Sequence, residues 1–461
     1  MKTKITLLIA VLFLSFNIAQ AQSNEEDMNT LSIMTEYAKA KNYDAAYQPF
    51  MELRQRNPKF HRGIFTYGEK ILKHKIKNSS GVEKANFVND LVKMWDERSV
   101  HFASKTPKGE FMSKAWQLKY DNRKELNLSD QQLYNGFDNA YKTDEATFTN
   151  PKALYTYFKL AVNLYDAGSL PAEALFTKYD EVSEKVESEV KNYTVKLNKY
   201  VPAEGEEEKA LSSKDKKRVK SYTSFLKGYD QISSGMDKDL GDRANCENLV
   251  PLYTKNYDAN KNDGVWLQRA MNRLFAKGCN DDPLFVKIVE QKNSLEPNAT
   301  TAFYLGILKD KEGKSSEALN YYNQAVELET DNYEKSKILY RIATNFKKKG
   351  SYGQARNYYQ KALSANPSMG KCHLAIATMY AKSANNCGTD TFSKRAVYWL
   401  AANEAAKAGR VDPNLKSSAA KSVASYNAKA PTKSDIFTKG NSGQTIKIGC
   451  WIGRSVKVPS L

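Results

Sequence analysis

The sequence contains few of the residues that interrupt helices. Among its 461 residues there are 23 glycines and 13 prolines, which are low counts for this length, whereas the 28 tyrosines are abundant. Glycine and proline supply the turns of many-stranded β proteins and are enriched in disordered segments. Their scarcity therefore favours a helical protein.

The sequence also lacks the motifs that carry common catalytic chemistry. No Gly-x-Ser-x-Gly turn, phosphate-binding loop or dinucleotide-binding fingerprint occurs, and the four histidines form no His-x-x-x-His pair. The acid pair Asp281-Asp282 precedes a proline and is typical of a helix cap. We therefore expect no enzyme, no cofactor and no metal site, and an active site built from dispersed residues stays as the alternative.

A long apolar run occurs at the start of the sequence and nowhere later. Lys2 and Lys4 precede the apolar residues 5–18, and Ala19-Gln20-Ala21 supplies the small residues that a signal peptidase recognises. We predict a signal peptide over residues 1–21 and a mature N-terminus at Gln22, which is not the cysteine of a lipoprotein. The predicted location is the periplasm or an association with the outer membrane, with no transmembrane segment and with peripheral association possible.

Export changes the expected chemistry of the five cysteines, because paired thiols form disulfides in an oxidising compartment. Cys246 and Cys279 are 33 residues apart and Cys372 and Cys387 are 15 apart, so the spacing predicts two local bridges and leaves Cys450 over. The alternative is that one or both pairs stay reduced and buried. Zinc is disfavoured because no Cys-x-x-Cys occurs.

A periodic pattern of small, aromatic and turn residues surrounds "FKKKGSYGQARNYYQKALSANP", residues 346–367. Alanines would let two antiparallel helices approach closely, a glycine would form the turn between them, and a proline would end the second helix. In a frame counted from Ser336, these residues occupy positions 4, 7, 8, 11, 15, 17, 20, 24, 27 and 32: Leu339, Ile342, Ala343, Phe346, Gly350, Tyr352, Ala355, Tyr359, Ala362 and Pro367.

The frame resembles the tetratricopeptide repeat. A second copy begins at Ala299, a third follows residue 370 with the insertion "SANNCGTDTF" before its second helix, and a fourth spans residues 27–58, with Ile33 and Tyr37 at positions 7 and 11. The resemblance implies an all-α fold, a superhelical array of antiparallel helix pairs. Helical periodicity elsewhere indicates degenerate helix pairs up to about residue 240.

A change of charge occurs near the middle of the chain. In "VPAEGEEEKALSSKDKKRVK", residues 201–220, an acidic cluster precedes a basic one, which we interpret as a solvated helix whose acids lead and whose bases follow. A phosphate track for nucleic acid is the disfavoured alternative. The predicted domains are residues 1–21 (signal peptide), 22–240 (degenerate helical region), 241–430 (repeat array) and 431–461 (tail).

The C-terminal tail departs from the helical pattern. Apolar residues alternate in "GQTIKIGCWIGRSVKVP", residues 443–459, and predict a short β-hairpin that turns near Gly453. Cys450 shares the apolar parity, so we expect a small buried hydrophobe, with a reactive or intermolecular thiol as the alternative. Trp451 is expected either to contact a partner or to cover the last helix.

The resemblance also implies where a partner would bind. In the family, the first helices line a concave groove, and the matching residues here mix cations, apolar groups and hydroxyls that would suit an extended peptide with acidic and apolar side chains. The predicted groove residues are Phe303, Ile307, Lys337, Tyr340, Thr344, Lys347, Lys371 and Leu374, followed by Thr378.

The predicted function is a non-enzymatic scaffold that binds another protein in the bacterial cell envelope. With a formal charge of +18, the chain could instead bind anionic glycan or lipid head groups through a basic face.

Overall fold

The computed structural model describes residues 24–202 and 210–461, and its regular structure is almost entirely helical. The predicted signal peptide and the acidic residues Glu204 and Glu206 to Glu208 lie outside the described residues. The chain divides into two compact units between Lys185 and Val186. The domain boundaries expected near residues 240 and 430 stay predictions.

The first unit consists of helices α1 (residues 24–39), α2 (Tyr43–Arg56), α3 (Gly63–Asn78), α4 (Gly81–His101), α5 (Lys108–Asp121), α6 (Asp130–Thr143), α7 (Pro151–Asp166) and the first half of α8 (Ala172–Asn198). The second unit continues with α9 (Ser213–Leu240), α10 (Cys246–Asn260), α11 (Gly264–Ala276), α12 (Pro283–Leu295), α13 (Ala299–Lys311), α14 (Ser315–Leu328), α15 (Asn332–Lys348), α16 (Tyr352–Ala365), α17 (Gly370–Ser383), α18 (Thr391–Val411), α19 (Lys416–Asn427), α20 (Lys433–Lys439), β1 (Thr445–Ile448) and β2 (Arg454–Lys457).

The helix pair α15–α16 forms where the periodic frame predicts it. Asp331 caps α15 by accepting a hydrogen bond from the Glu334 amide at 3.1 Å, and Gly350 turns the chain with a φ of 78°. The frame positions of both helices face each other and are buried: Leu339, Ile342, Ala343, Phe346, Ala355, Tyr359 and Ala362. Their burial explains why this frame specifies two antiparallel helices.

Neighbouring pairs repeat the arrangement, α13 with α14 and α17 with α18. In α13 the small residue of the frame is Gly306, where an added Cβ would lie 2.5 Å from the ring of Tyr322 on α14. The predicted all-α array of antiparallel helix pairs is confirmed.

The N-terminal pair α1–α2 also forms, but its first helix is rotated away from the predicted frame. Ile33 and Tyr37 are 40% and 41% exposed, whereas Leu31, Met34 and Ala38 are buried in the core of the first unit. The assignment of Ile33 and Tyr37 to buried frame positions is therefore wrong. The physical reason is that α1 buries a single stripe, so its opposite stripe needs no apolar partner.

One of the two predicted disulfides is confirmed. Cys246 bonds Cys279 and braces the pair α10–α11, whereas the pairing of Cys372 with Cys387 is wrong. Cys372 lies at the start of α17 and Cys387 lies beyond its end. At a rise of 1.5 Å per residue their Cα atoms are about 20 Å apart, which is too far for a disulfide. Cys387 bonds Cys450 instead, and Cys372 is a buried free thiol.

The predicted β-hairpin is present, with β1 and β2 antiparallel and Ile446 opposite Val456. Cys450 lies in the turn between the strands with a φ of 52°, exposed and disulfide-bonded, so the expectation of a small buried hydrophobe was wrong. Trp451 covers the repeats: its ring lies 5.5 Å from those of Tyr352 and Tyr380. Its indole also donates to the Ser383 hydroxyl at 2.9 Å.

The charge change at residues 201–220 does not occur within one helix. Helix α9 begins at Ser213, where the side chain of Ser212 accepts a hydrogen bond from the Asp215 amide at 3.1 Å. Residues 210–212 are not helical, so the basic cluster occupies the first turns of α9, and Asp215 is the acid of its first turn. The expectation of a single helix led by acids was therefore wrong.

No helix in the described ranges combines the length and the apolar character that a bilayer crossing requires.

Candidate functional site

The second half of α8 lies against the first helices of the repeats. Lys191 on α8 pairs with Asp331 at 3.0 Å, and Asn198 accepts a hydrogen bond from the Ser368 amide at 3.2 Å. Glu187 on α8 contacts the ammonium group of Lys337 on α15. The chain therefore covers part of its own predicted groove.

Lys337 is consequently not a free groove cation. Its ammonium group contacts Glu187 and lies 3.1 Å from Glu334 on its own helix. Burial, aided by the positive charges of Arg341 and Lys371, lowers the pKa of Lys337 to about 7, and the Glu187 carboxylate opposes that shift. The neighbouring cations show that positive charge is concentrated at this face.

Two other predicted groove residues lie inside the protein. Phe303 is 1% exposed and Ile307 is 7% exposed. The Phe303 ring packs among those of Phe275, Tyr304 and Tyr322, at centroid distances of 6.0, 5.4 and 6.1 Å. Their placement on an accessible groove surface is thus corrected, because aromatic packing between α11, α13 and α14 closes over this position.

The remaining predicted residues form a half-buried surface on α15 and α17, which we call the open strip: Tyr340, Thr344, Lys347, Lys371 and Leu374. Lys371 is the most exposed of the five, but its ammonium group is partly shielded, since it lies 4.1 Å from the centre of the Tyr340 ring. Thr344 donates to the Tyr340 carbonyl at 2.8 Å, and its hydroxyl lies 3.1 Å from that of Tyr359. The Lys371 ammonium group thus lies against an aromatic face of the strip.

Cations extend the open strip along both helices. Burial and the nearby positive charge of Lys382 lower the pKa of Lys347. Arg341, exposed on α15, lies 5.9 Å above the Phe303 ring, and Thr378 is half-buried one turn after Leu374. The strip thus offers positive charge, an aromatic ring and short aliphatic groups, which complement acidic and apolar side chains.

A cleft opens beside the strip, where α8 and α9 meet the ends of the repeat helices. Its volume is about 350 Å³. The lining residues include four charged groups, Asp230, Lys337, Lys371 and Asp412, together with the buried polar residues Asn366 and Ser368.

Sequence reasoning did not find the contribution of α8 and α9 to this face. Glu187 and Lys337 are 150 residues apart (337 − 187), and no repeat frame links them. The repeat frame could have identified Arg341 and Lys382, since both are cations on the first helices of recognised repeats, beside groove positions. No sequence pattern marked Asp412, because it lies in the connection after α18.

One cluster of buried ionisable groups in the second unit is paired inside the core. His373 on α17 and Glu404 on α18 are joined at 2.6 Å, and Lys407 lies 3.0 Å from the same carboxylate. Burial opposes ionisation of Glu404, but its hydrogen bond to His373 and the charge of Lys407 hold its pKa below the usual value. In the part of the chain that the structure describes, no three His, Cys, Asp or Glu side chains are placed to hold a metal ion.

Antiparallel helix pairs joined by glycine turns, stacked one after another, define a helical-repeat protein. Residues 336–369, which include α15 and α16, match the family model described as tetratricopeptide repeat. This chain therefore carries a tetratricopeptide repeat at residues 336–369.

Curated relatives share part of this chain. It is 31% identical over 107 residues to the photosystem I assembly protein Ycf3 of Cuscuta gronovii, covering 21% of this chain and 64% of the relative. It is 37% identical over 75 residues to the protein of the same name from Cyanophora paradoxa, covering 16% and 43%. The chain thus matches roughly half of the length of these relatives.

Solved structures with similar helical folds include MamA, at 16% identity and a TM-score of 0.28, covering 45% of this chain and 99% of that one. A tetratricopeptide repeat protein from Parabacteroides merdae shares 10% identity at a TM-score of 0.24, covering 69% and 97%. Yeast Tom70 shares 12% identity at a TM-score of 0.25, covering 90% and 82%.

Proposed function

We propose that this protein is a non-enzymatic scaffold of the bacterial cell envelope that binds another protein through its repeats. The observation that carries the proposal is the open strip, which presents Tyr340, Lys347 and Lys371 on the first helices of two consecutive repeats. Repeats of this kind bind partners through surfaces that several units share. The mixture of charge and aromatic surface supports an extended partner segment with acidic and apolar side chains.

Two features support export as part of the proposal. The apolar residues 5–18, with their flanking lysines and small residues, have the pattern of a signal peptide. The disulfides Cys246–Cys279 and Cys387–Cys450 suit an oxidising compartment. Mass analysis of the mature protein is expected to give an N-terminus at Gln22. Retention of Met1 in the folded, envelope-free fraction would remove export from the proposal.

Affinity capture after crosslinking tests the binding surface. The double variant Tyr340→Ala with Lys347→Glu removes the aromatic ring and reverses one charge of the open strip, so we expect at least a tenfold loss of the captured partner. The matched control is Tyr321→Ala with Lys361→Glu, which makes the same changes on the second helices α14 and α16. Equal recovery with both double variants would exclude the open strip as the binding surface.

Binding of anionic glycan or lipid head groups is the second candidate, favoured by the cations Arg341, Lys347, Lys371 and Lys382 on one face. Electrostatic attachment to a polyanion weakens steeply as salt rises, because the Debye length is only about 8 Å at 0.15 M salt. Release from envelope extract at moderate salt, with no crosslinked protein, would favour this candidate over the scaffold.

A further inference from the structure

The cleft of about 350 Å³ between the α8–α9 segment and the ends of the repeat helices has the size of a small-molecule site. Val190 and Leu226 contribute its apolar side, and Asn366 and Ser368, 3% and 7% exposed, contribute buried polar groups. The lining therefore combines apolar surface with a few polar groups, as ligand sites commonly do.

Charges of both signs line the cleft. Burial, strengthened by the negative charge of Asp230, raises the pKa of Asp412 to about 6. Burial of its ammonium group lowers the pKa of Lys371, and the positive charge of Arg341 adds to that shift, whereas Cys372 and the negative charge of Asp412 oppose it. The charge of Lys371 affects both Lys337 and Asp412. The cleft is thus lined by ammonium groups and carboxylates that lie within reach of one another's charge.

In the described part of the chain, three of the four charged lining groups form no ion pair. Among the described residues, Lys371 and Asp230 form no ion pair, and the side chain of Asp412 accepts a hydrogen bond from the Asn414 amide at 3.0 Å. Lys337 differs, because Glu187 already occupies it. Lys371 on one side and the pair Asp230 and Asp412 on the other are therefore available to a ligand.

We propose that this cleft binds a small zwitterion of dipeptide size, with the ligand carboxylate at Lys371 and the ligand ammonium group at Asp230 and Asp412. Charges of both signs that form no ion pair in a partly closed cleft recognise a ligand that carries both charges, because each charge gains a charge-assisted hydrogen bond. A ligand with one charge leaves the opposite end of the cleft unpaired and loses that contribution. The cleft shares Lys371 with the open strip, but the proposal does not require the strip to bind a protein.

Isothermal titration calorimetry with three related probes tests this site. Glycylglycine carries both charges, N-acetylglycylglycine lacks the ammonium group, and glycylglycinamide lacks the carboxylate. We expect glycylglycine to bind at least about tenfold more tightly than either single-charge probe, which corresponds to about 1.4 kcal/mol per lost contact. Equal binding of all three, or no heat from glycylglycine up to millimolar concentration, would overturn the proposal.

Two variants assign the ends. Lys371→Gln should lower the affinity for glycylglycine to that for glycylglycinamide, because the contact to the carboxylate is lost. Asp412→Asn should lower the affinity for glycylglycine towards that for N-acetylglycylglycine. Lys421→Gln, an exposed change on α19, is the control and should leave all three affinities unchanged. Unfolding curves for each variant separate a local loss from misfolding. A folded Lys371→Gln protein that still discriminates against the amide would contradict the assignment.

Discussion

The helix pairs α15–α16 and α1–α2 follow the same repeat frame but bury it differently. Position 7 is Ile342, fully buried, in the first pair and Ile33, 40% exposed, in the second. The second helices agree, since Tyr359 and Phe50 are 1% and 0% exposed at the same position. The frame therefore specifies the packing of the second helix in both pairs, whereas the first helix follows it only within the continuous array, where neighbours cover more of its surface.

The largest expected effect comes from truncating position 7 in both pairs. Ile342→Ala should lower the free energy of unfolding by about 2–5 kcal/mol, because it leaves a cavity in the repeat core. Ile33→Ala should change it by less than about 0.5 kcal/mol, as for a surface substitution. Native-state hydrogen exchange of α15 and α1 measures both. Similar losses of unfolding free energy for both variants would contradict the difference in packing between the two pairs.

The second-largest expected effect comes from reducing the disulfides. It should destabilise only the later part of the chain, since every cysteine lies at or after Cys246. Replacing Cys246 and Cys279 by alanine opens a loop of 33 residues and should cost about 3–4 kcal/mol in the chain-entropy model. Thermal unfolding with and without a dithiol, followed by hydrogen exchange, should show loosening after residue 246 and none in α1–α7. Loosening of α2 by the dithiol would contradict this division.

Substitutions in the turn between the two helices should change stability by a smaller amount, and in opposite directions in the two pairs. Gly350 has a φ of 78° and Lys41 a φ of 61° at the corresponding frame position. Gly350→Ala should cost about 1–2 kcal/mol, because a side chain disfavours this backbone conformation, while Lys41→Gly should gain about 0.5 kcal/mol from relieved strain less the added chain entropy. Denaturant midpoints of both variants check the signs, and a stabilised Gly350→Ala protein would show that the turns differ.

The smallest expected effect depends on pH and concerns the array alone. The folded-state pKa of Glu404 is lowered by His373 and Lys407, so the stabilisation from this carboxylate is present above its unfolded pKa of 4.5 and is lost as the pH falls through the lower folded value. The melting temperature of Glu404→Gln should lie below that of the wild type at pH 7, and the gap should narrow by pH 3. A gap that widens in acid would assign the stabilisation elsewhere.

Most of the fold could be predicted from local spacing. Gly350, Pro367 and the alanines between them place two helices and their turn without any distant contact, and the alternation of Ile446, Ile448 and Val456 places the hairpin. Local spacing does not predict burial that depends on neighbouring helices, as for Ile33. It also does not predict disulfides between distant residues, such as Cys387 and Cys450, which are 63 residues apart.

The candidate site was only partly predictable. The repeat frame located Tyr340, Thr344, Lys347, Lys371 and Leu374 on first helices, and these residues form the open strip. It could not show that Phe303 and Ile307 are closed over by aromatic packing. It also could not show that Glu187 from α8 contacts Lys337, because a single chain pattern holds no information on which distant helix covers a groove.

Site-specific photocrosslinking in cells tests the central claim, that the open strip is the partner-binding surface. A photoreactive phenylalanine derivative at position 340 should give one dominant crosslinked protein, and the same probe at position 321, on the second helix α14, should give at most a trace of it. A product that forms equally from both positions, or from position 321 alone, would contradict the account.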